Sequence, residues 1–334
     1  MQLGIFAKTI PRPTLEETLD AIADHGLTHV QFNMSCVGLP TLPDRLDEDR
    51  CIWMARQFRD RGLTMAAISG TFNLCDPDPI QLDENLRRLG VLAAACRWLD
   101  TRIITLCTGT LDPEDMWRWH PDNVRRSTWN HLIAGVREAV KIADRHEVTL
   151  AFEPEINNVV NSVSKARMLL DEVDSPWLKA VIDPANLVRP GEMHRIAEIL
   201  DEAFDWLGPD VVLAHAKEPP IDQESDAANL ANFVNDYCRE RGPSCARLLL
   251  EAAKLANGES LSQLTNRYMI EGEGLQLSLS EYLEIFRFSF FYRPYLSWLG
   301  QIGHGGAIVI HGLHETDVAQ RAYYLREILQ HISG

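Results

Sequence analysis

Eight short apolar runs, rich in β-branched residues, alternate along the chain with stretches whose apolar residues recur at helical spacing. This alternation restricts the fold more than any other feature. The runs occupy residues 3–7, 28–32, 64–69, 102–107, 148–152, 178–182, 211–214 and 307–310. Between the first two lies PTLEETLDAIADHG, in which Thr14 and Glu17 have capping-box spacing, Leu15, Leu19 and Ile22 form one apolar face, and Gly26 supplies the stop. Comparable helical patterns cover 49–61, 83–99, 127–146, 164–173, 193–206 and 316–331. Buried strands alternating with helices give a parallel sheet, and eight of them predict an α/β fold, the (β/α)8 TIM barrel. Ring closure leaves no sheet edge, whereas a doubly wound open sheet needs short or polar edge strands that this sequence lacks.

One interval is out of step. More than 90 residues separate the seventh run from the eighth, which places a long insertion at about 219–280 within a single barrel domain spanning 1–334. The insertion is rich in Asp, Glu, Asn and Ser, and the stretch 281–298 that follows carries Tyr282, Phe286, Phe288, Phe290, Phe291, Tyr292, Tyr295 and Trp298. These aromatics read as the helix before the last strand, packed on the core; a lid or a homo-oligomer contact is the alternative.

Charge narrows the partners. Lys and Arg number 32 against 48 Asp and Glu, and the resulting −16 repels phosphate backbones and anionic lipid, so neither nucleic acid nor membrane is an expected partner. No apolar run has the length of a membrane span, the first residues lack a leader pattern, and a cytoplasmic location is expected. The seven cysteines are scattered and never spaced CxxC, which suits neither a disulfide framework nor a zinc–thiolate site.

Barrel active sites lie at the C-terminal mouth, so the residues that end each run carry the functional information. The fifth run ends in Glu153, the sixth in Asp183, the seventh in His215 and the eighth in His311. Strand alternation puts each on the same face as a residue two positions earlier, namely Ala151, Val181, Leu213 and Val309, so all four point inward. Asp, Glu and His make up under a fifth of the chain. Four in succession at inward strand ends is therefore a pattern rather than composition. Two carboxylates and two imidazoles around one opening repel or go unsatisfied without a cation, and oxygen and nitrogen donors of this kind suit Mn²⁺ first, then Mg²⁺, Co²⁺ or Zn²⁺. One divalent ion is the expected cofactor.

Glu155 and Lys217 follow Glu153 and His215 by two residues and share their parity. Glu155 is a second candidate base; Lys217 is either a group that neutralises a developing oxyanion or a surface salt-bridge lysine. After the fourth run, LDPEDMWRWHPDN sets Trp117, Trp119 and His120 on a loop at the mouth, where indoles can stack on a sugar and an imidazole can bond a hydroxyl; packing against their own loop is the alternative. Gln31, Asn33, Asn73, Thr108 and Asn186 add neutral hydrogen-bonding groups, and no basic cluster accompanies them. These groups suit a polyol, and a phosphorylated ligand is not favoured.

These residues resemble the sugar phosphate isomerase/epimerase group of xylose-isomerase-like TIM barrels, which includes ketose 3-epimerases, hydroxypyruvate isomerase and inosose dehydratase. The similarity runs from GIFAKTIPRPTLEET through VQFNMSC, MAAISGTFN, ITLCTGT, AFEPEINNVVNS, VIDPANL and LAHAKE to IVIHGL, with about 219–271 unmatched. The resemblance implies a metal enzyme whose ligands end the four C-terminal strands as Glu, Asp, His and Glu, with Glu153 as the base. Glu153, Asp183 and His215 match the first three positions, whereas His311 stands where many relatives have Glu. The set then brings −2 rather than −3 to a divalent ion, which makes the ion a stronger Lewis acid and removes one of two possible metal-bound bases.

The expected activity is a metal-dependent isomerase or epimerase acting on an unphosphorylated sugar, keto-sugar or related polyol through an enediolate. The alternative is a lyase or dehydratase of the same superfamily, by inosose dehydration or cleavage of an oxidised glycoside. Related barrel endonucleases need further histidines on the second and third strands, where this chain has Gln31, Asn33, Ser69 and Asn73. A non-catalytic sugar-binding module would leave the four convergent ligands without a purpose, and Gly272-Glu273-Gly274, a lone GxG that does not follow a strand, is no nucleotide site.

Overall fold

The structure, a computed structural model, describes residues 1–189, 191–218 and 291–332. Strands β1 (Gln2–Phe6), β2 (His29–Phe32), β3 (Thr64–Ser69), β4 (Ile103–Cys107), β5 (Thr149–Glu153), β6 (Leu178–Ile182), β7 (Val211–Ala216) and β8 (Ala307–Ile310) pair in parallel in chain order. Pairing of β8 with β1, with Gly4 opposite Val309, closes the ring. The chain is a TIM barrel, with the long insertion between β7 and β8.

Helices α1 (Leu15–Asp24), α2 (Glu48–Asp60), α3 (Pro79–Leu99), α4 (Arg126–His146), α5 (Val163–Val173) and α6 (Ile196–Leu207) follow β1 to β6 in turn. Their starts are written locally: Thr14 accepts from the Glu17 amide at 3.2 Å, Asp47 from Arg50 at 3.2 Å, Asp78 from Ile80 at 2.9 Å and Ser162 from Lys165 at 3.3 Å. Helix α3 begins at Pro79, four residues earlier than apolar spacing predicts, because Asp78 caps it and a proline suits the first turn. Residues 193–195 form a 3₁₀ turn ahead of α6. Among the described residues α7 (Arg293–Gln301) and α8 (Glu315–Ile332) come after β7. No helix among the described residues is long and apolar enough to cross a membrane.

Packing divides the chain into two units. The first, 1–187 with 205–217 and 304–322, holds all eight strands. Its lumen is filled by Ala67, Ala151, Val181, Leu213, Ala307 and Val309, all buried, and alternation carries the next inward position on each strand toward the mouth. The second unit takes 188–204, 218–303 and 323–334. Within it Phe204 stacks on Trp298 at 5.9 Å between ring centres, the Trp298 indole donates to Asp201 at 3.2 Å, and Phe291 stacks with Tyr295. Phe291, Tyr292 and Tyr295 are buried, as core packing of this aromatic stretch requires. Tyr282, Phe286, Phe288 and Phe290, with the 219–280 insertion, lie outside the described residues.

Past β4 the chain turns through Gly109 at φ +70°, where a Cβ would stand 1.9 Å from the side-chain oxygen of Asn73. That oxygen accepts from the amides of Cys75 and Thr110, both at 3.1 Å, and ties the loops after β3 and β4 together. Gly109→Ala is therefore expected to cost about 2–3 kcal/mol, from backbone strain plus displaced buried hydrogen bonds. The check is the thermal unfolding midpoint, which should fall by several degrees.

Candidate metal centre and active site

The β7 strand runs two residues further than its apolar run, so His215 sits inside the ladder opposite Val309. Glu153 likewise closes β5 opposite Cys107. Asp183 and His311 follow β6 and β8 directly. Four rigid strands thus deliver four side chains to one level of the lumen.

Asp183 is 1% exposed and His215 2%. His215 Nδ1 lies 3.3 Å from Asp183 Oδ2, 3.4 Å from Glu153 Oε2 and 3.0 Å from His311 Nε2; His311 Nε2 is 3.3 Å from Asp183 Oδ2. Donors bound at about 2.1 Å in a tetrahedral or octahedral shell stand about 3.0–3.4 Å apart, so this spacing fits a single divalent ion. Asp183, His215 and His311 each offer one donor atom, all within 4.8 Å of one another; Glu153 stands beside this group of three and meets it at His215. The residues present suit the expected cation.

Around the cluster is a cavity of about 470 Å³, lined by Glu153, Glu155, Asn186, His215, Lys217 and His311 on one side and by Phe6, Lys8, Gln31, Asn33, Ser69, Thr71, Thr105 and Trp117 on the other. Asn186 joins the acidic side: its amide donates to Glu153 Oε1 and its oxygen accepts from Lys217 Nζ at 3.3 Å. Lys217 Nζ is also 3.7 Å from Asp183 Oδ2. Room for the lysine stem comes from Gly312, at φ +76°, where a Cβ would approach Lys217 Cγ to 2.8 Å. Asn33 lines the cavity while its oxygen accepts from the Ser35 amide at 2.9 Å.

Four candidates are not brought to this cavity. Asn73 is spent on the loop bonds described above. Thr108 is fully buried and accepts from the Val160 amide at 3.2 Å. His120 caps a 3₁₀ turn, accepting from the Asp122 amide at 3.2 Å, and Trp119 is exposed on the same loop, outside the cavity. Gln31, read from the sequence as a neutral hydrogen-bonding group, joins Ser69 and Thr105 in one polar tier; Thr105 was not singled out, although its even spacing from Ile103 was a visible signal.

A profile of the family described as xylose isomerase-like TIM barrel matches residues 19–237. A search of curated proteins found no match. Solved structures share the fold. D-psicose 3-epimerase from Clostridium cellulolyticum H10, crystallised with D-tagatose, is 14% identical, with a TM-score of 0.58 over 100% of this chain and 98% of its own. The IOLI protein with a bound zinc atom is also 14% identical, with a TM-score of 0.57 over 99% and 98%. The probable 3-DHS dehydratase AsbF from Bacillus anthracis is 12% identical, with a TM-score of 0.59 over 98% and 99%.

The charges of the cluster are interlocked. Burial pushes the Asp183 carboxyl up, but hydrogen bonds from His215 and His311 and the charges of His215 and Lys217 outweigh it and hold the group well below the usual range. Burial pushes His215 down, and the carboxylates of Glu153 and Asp183 overcome it and raise the imidazole to about 9. His311, partly buried beside that imidazolium, is lowered by desolvation first and then by the His215 charge. Glu155 is raised to about 8, chiefly by burial and then by Glu153.

Folding thus favours the protonated forms of His215 and Glu155, and the stability each contributes is lost as pH rises from its unfolded value, about 6.5 and 4.5 respectively, to its folded one. Both losses overlap between about pH 6.5 and 8. In chelator the thermal midpoint should fall across that window, and Glu155→Gln should make the fall shallower. A midpoint that rises there would contradict the charge arrangement.

Proposed function

Because the chain belongs to the xylose isomerase-like TIM barrel family, we propose that it is a divalent-metal-dependent isomerase or epimerase acting on an unphosphorylated sugar, keto-sugar or related polyol. The observation that carries this reading is the convergence of Asp183, His215 and His311 at donor–donor separations suited to one ion, with Glu153 Oε2 beside them at 3.4 Å from His215 Nδ1. Mn²⁺ is the first choice, with Co²⁺, Zn²⁺ or Mg²⁺ as the other cations; the two imidazoles weight the set toward transition metals. Bound there, a divalent cation supplies Lewis-acid polarisation of a substrate carbonyl and hydroxyl.

The chain's own groups do the rest. Glu153, with Oε1 held by Asn186, keeps Oε2 toward the cluster and takes the proton from the carbon beside the carbonyl. Lys217, cationic and directed by Asn186, faces the negative charge that develops on the enediolate oxygen. Glu155, kept protonated by burial near neutral pH, returns a proton to carbon or oxygen. Trp117, exposed at the rim, offers a flat apolar face to a sugar ring. Lys8 and Lys217 are the only lysine or arginine side chains lining the cavity among the described residues, and Lys217 is committed to Asp183 and Asn186, which agrees with an unphosphorylated substrate. A second reading is elimination: Lys217 is also placed to protonate a departing hydroxyl after the same abstraction, which would make the enzyme a lyase or dehydratase.

Turnover of keto-sugars, inososes and oxidised glycosides in D₂O with Mn²⁺ tests both. Deuterium entering carbon reports the abstraction, and the product separates isomerisation from elimination. Glu153→Gln should keep the fold and lose exchange by at least about 100-fold. Asp183→Ala should lose the metal, which full metal occupancy in that variant would refute. His311→Ala should bind metal more weakly, whereas His311→Glu should bind at least as tightly and turn over more slowly, because added negative charge weakens the Lewis acid.

A further inference from the structure

A neutral imidazole carries one N–H, and the nitrogen that bears it cannot also give a lone pair to a cation. For His215 the choice matters because the ring is 2% exposed, so a nitrogen left unpaired is costly. Nδ1 is the nitrogen that faces Asp183, Glu153 and His311. For Nδ1 to present a lone pair there, the hydrogen must sit on Nε2 and must find an acceptor.

The acceptor comes from the opposite side of the ring. Gln31, on β2 and 6% exposed, places Oε1 2.8 Å from His215 Nε2. A glutamine can present either end of its amide, and in this orientation both ends have a partner. Gln31 Nε2 lies 3.3 Å from Ser69 Oγ and 3.4 Å from Thr105 Oγ1, both buried hydroxyls able to accept. Turned over, the amide would aim N–H groups at His215 Nε2 and force the ring hydrogen onto Nδ1, into the space where the carboxylates converge.

We infer that Gln31, its amide nitrogen within reach of Ser69 and Thr105, is a positioning residue that fixes the Nε2–H form of His215 and so readies Nδ1 as a metal donor. The inference rests on the metal reading above and adds a role for three residues of β2, β3 and β4 that carry no charge. An amide suits the place because it orients the ring without adding a further negative charge to the set made by Glu153 and Asp183.

The test titrates chelator-stripped protein with Zn²⁺ and reads affinity by calorimetry. Gln31→Met, of similar size but without the acceptor, should bind 10- to 100-fold more weakly, as loss of a partner to a ligating histidine does. Gln31→Glu, which keeps the acceptor, should bind at least as tightly as the wild type. Ser69→Ala with Thr105→Val leaves Gln31 in place but frees its amide, and should show a smaller loss, which keeps the idea testable if Gln31→Met folds poorly. In the Zn²⁺-loaded wild type, nitrogen-15 NMR should show the His215 hydrogen on Nε2. Wild-type affinity in Gln31→Met, or equal losses in the Met and Glu variants, would overturn the role of Gln31. Failure of the wild type to bind any divalent ion would instead overturn the metal reading itself.

Discussion

A β-strand turns only every second side chain toward a barrel's interior, and closing eight parallel strands into one ring forces them all to share a mouth. The apolar plug of Ala151, Val181, Leu213 and Val309 anchors that parity on the last four strands. The next inward positions are Glu153, Asp183, His215 and His311, and on two strands a further step reaches Glu155 and Lys217. A slip of one residue on β6 alone would replace Asp183 by Ile182 in the cluster and bury a carboxylate among the helices, so the core packing and the site stand or fall together.

The lumen is chemically lopsided. Strands β5 to β8 contribute the ionisable groups, whereas β2 to β4 contribute amides and hydroxyls. Burying Asp183 completely is tolerable because two imidazoles and an ammonium surround it, and those same neighbours make His215 hold its proton more tightly than an ordinary histidine. The neutral half costs little to desolvate once its members bond each other, and it gives the charged half a fixed wall to lean on.

Much of this was legible in the sequence because it is local. Strand ends follow from apolar runs, the start of α1 from Thr14 and Glu17, and the inward parity of the four ligand candidates from counting by twos. The loops were harder. Asn73, Thr108 and His120 look like donors waiting for a ligand, yet each is taken by a backbone amide, a competition that polar side chains near strand and turn ends often win. Gln31 was visible as a polar inward residue, but its partner is 184 residues away across the barrel, and no period or spacing along the chain announces such a pairing.

The glycine at 312 ties the fate of one side chain to the absence of another. Any residue with a Cβ at that position would press on the Lys217 stem, so the two positions are expected to vary together: a barrel that keeps a lysine at the end of its seventh strand has reason to leave the second residue past its eighth strand bare. In a homologue, a bulkier residue aligned with Gly312 would signal that the ammonium has been swung away from the mouth and that the oxyanion there must be met by some other group.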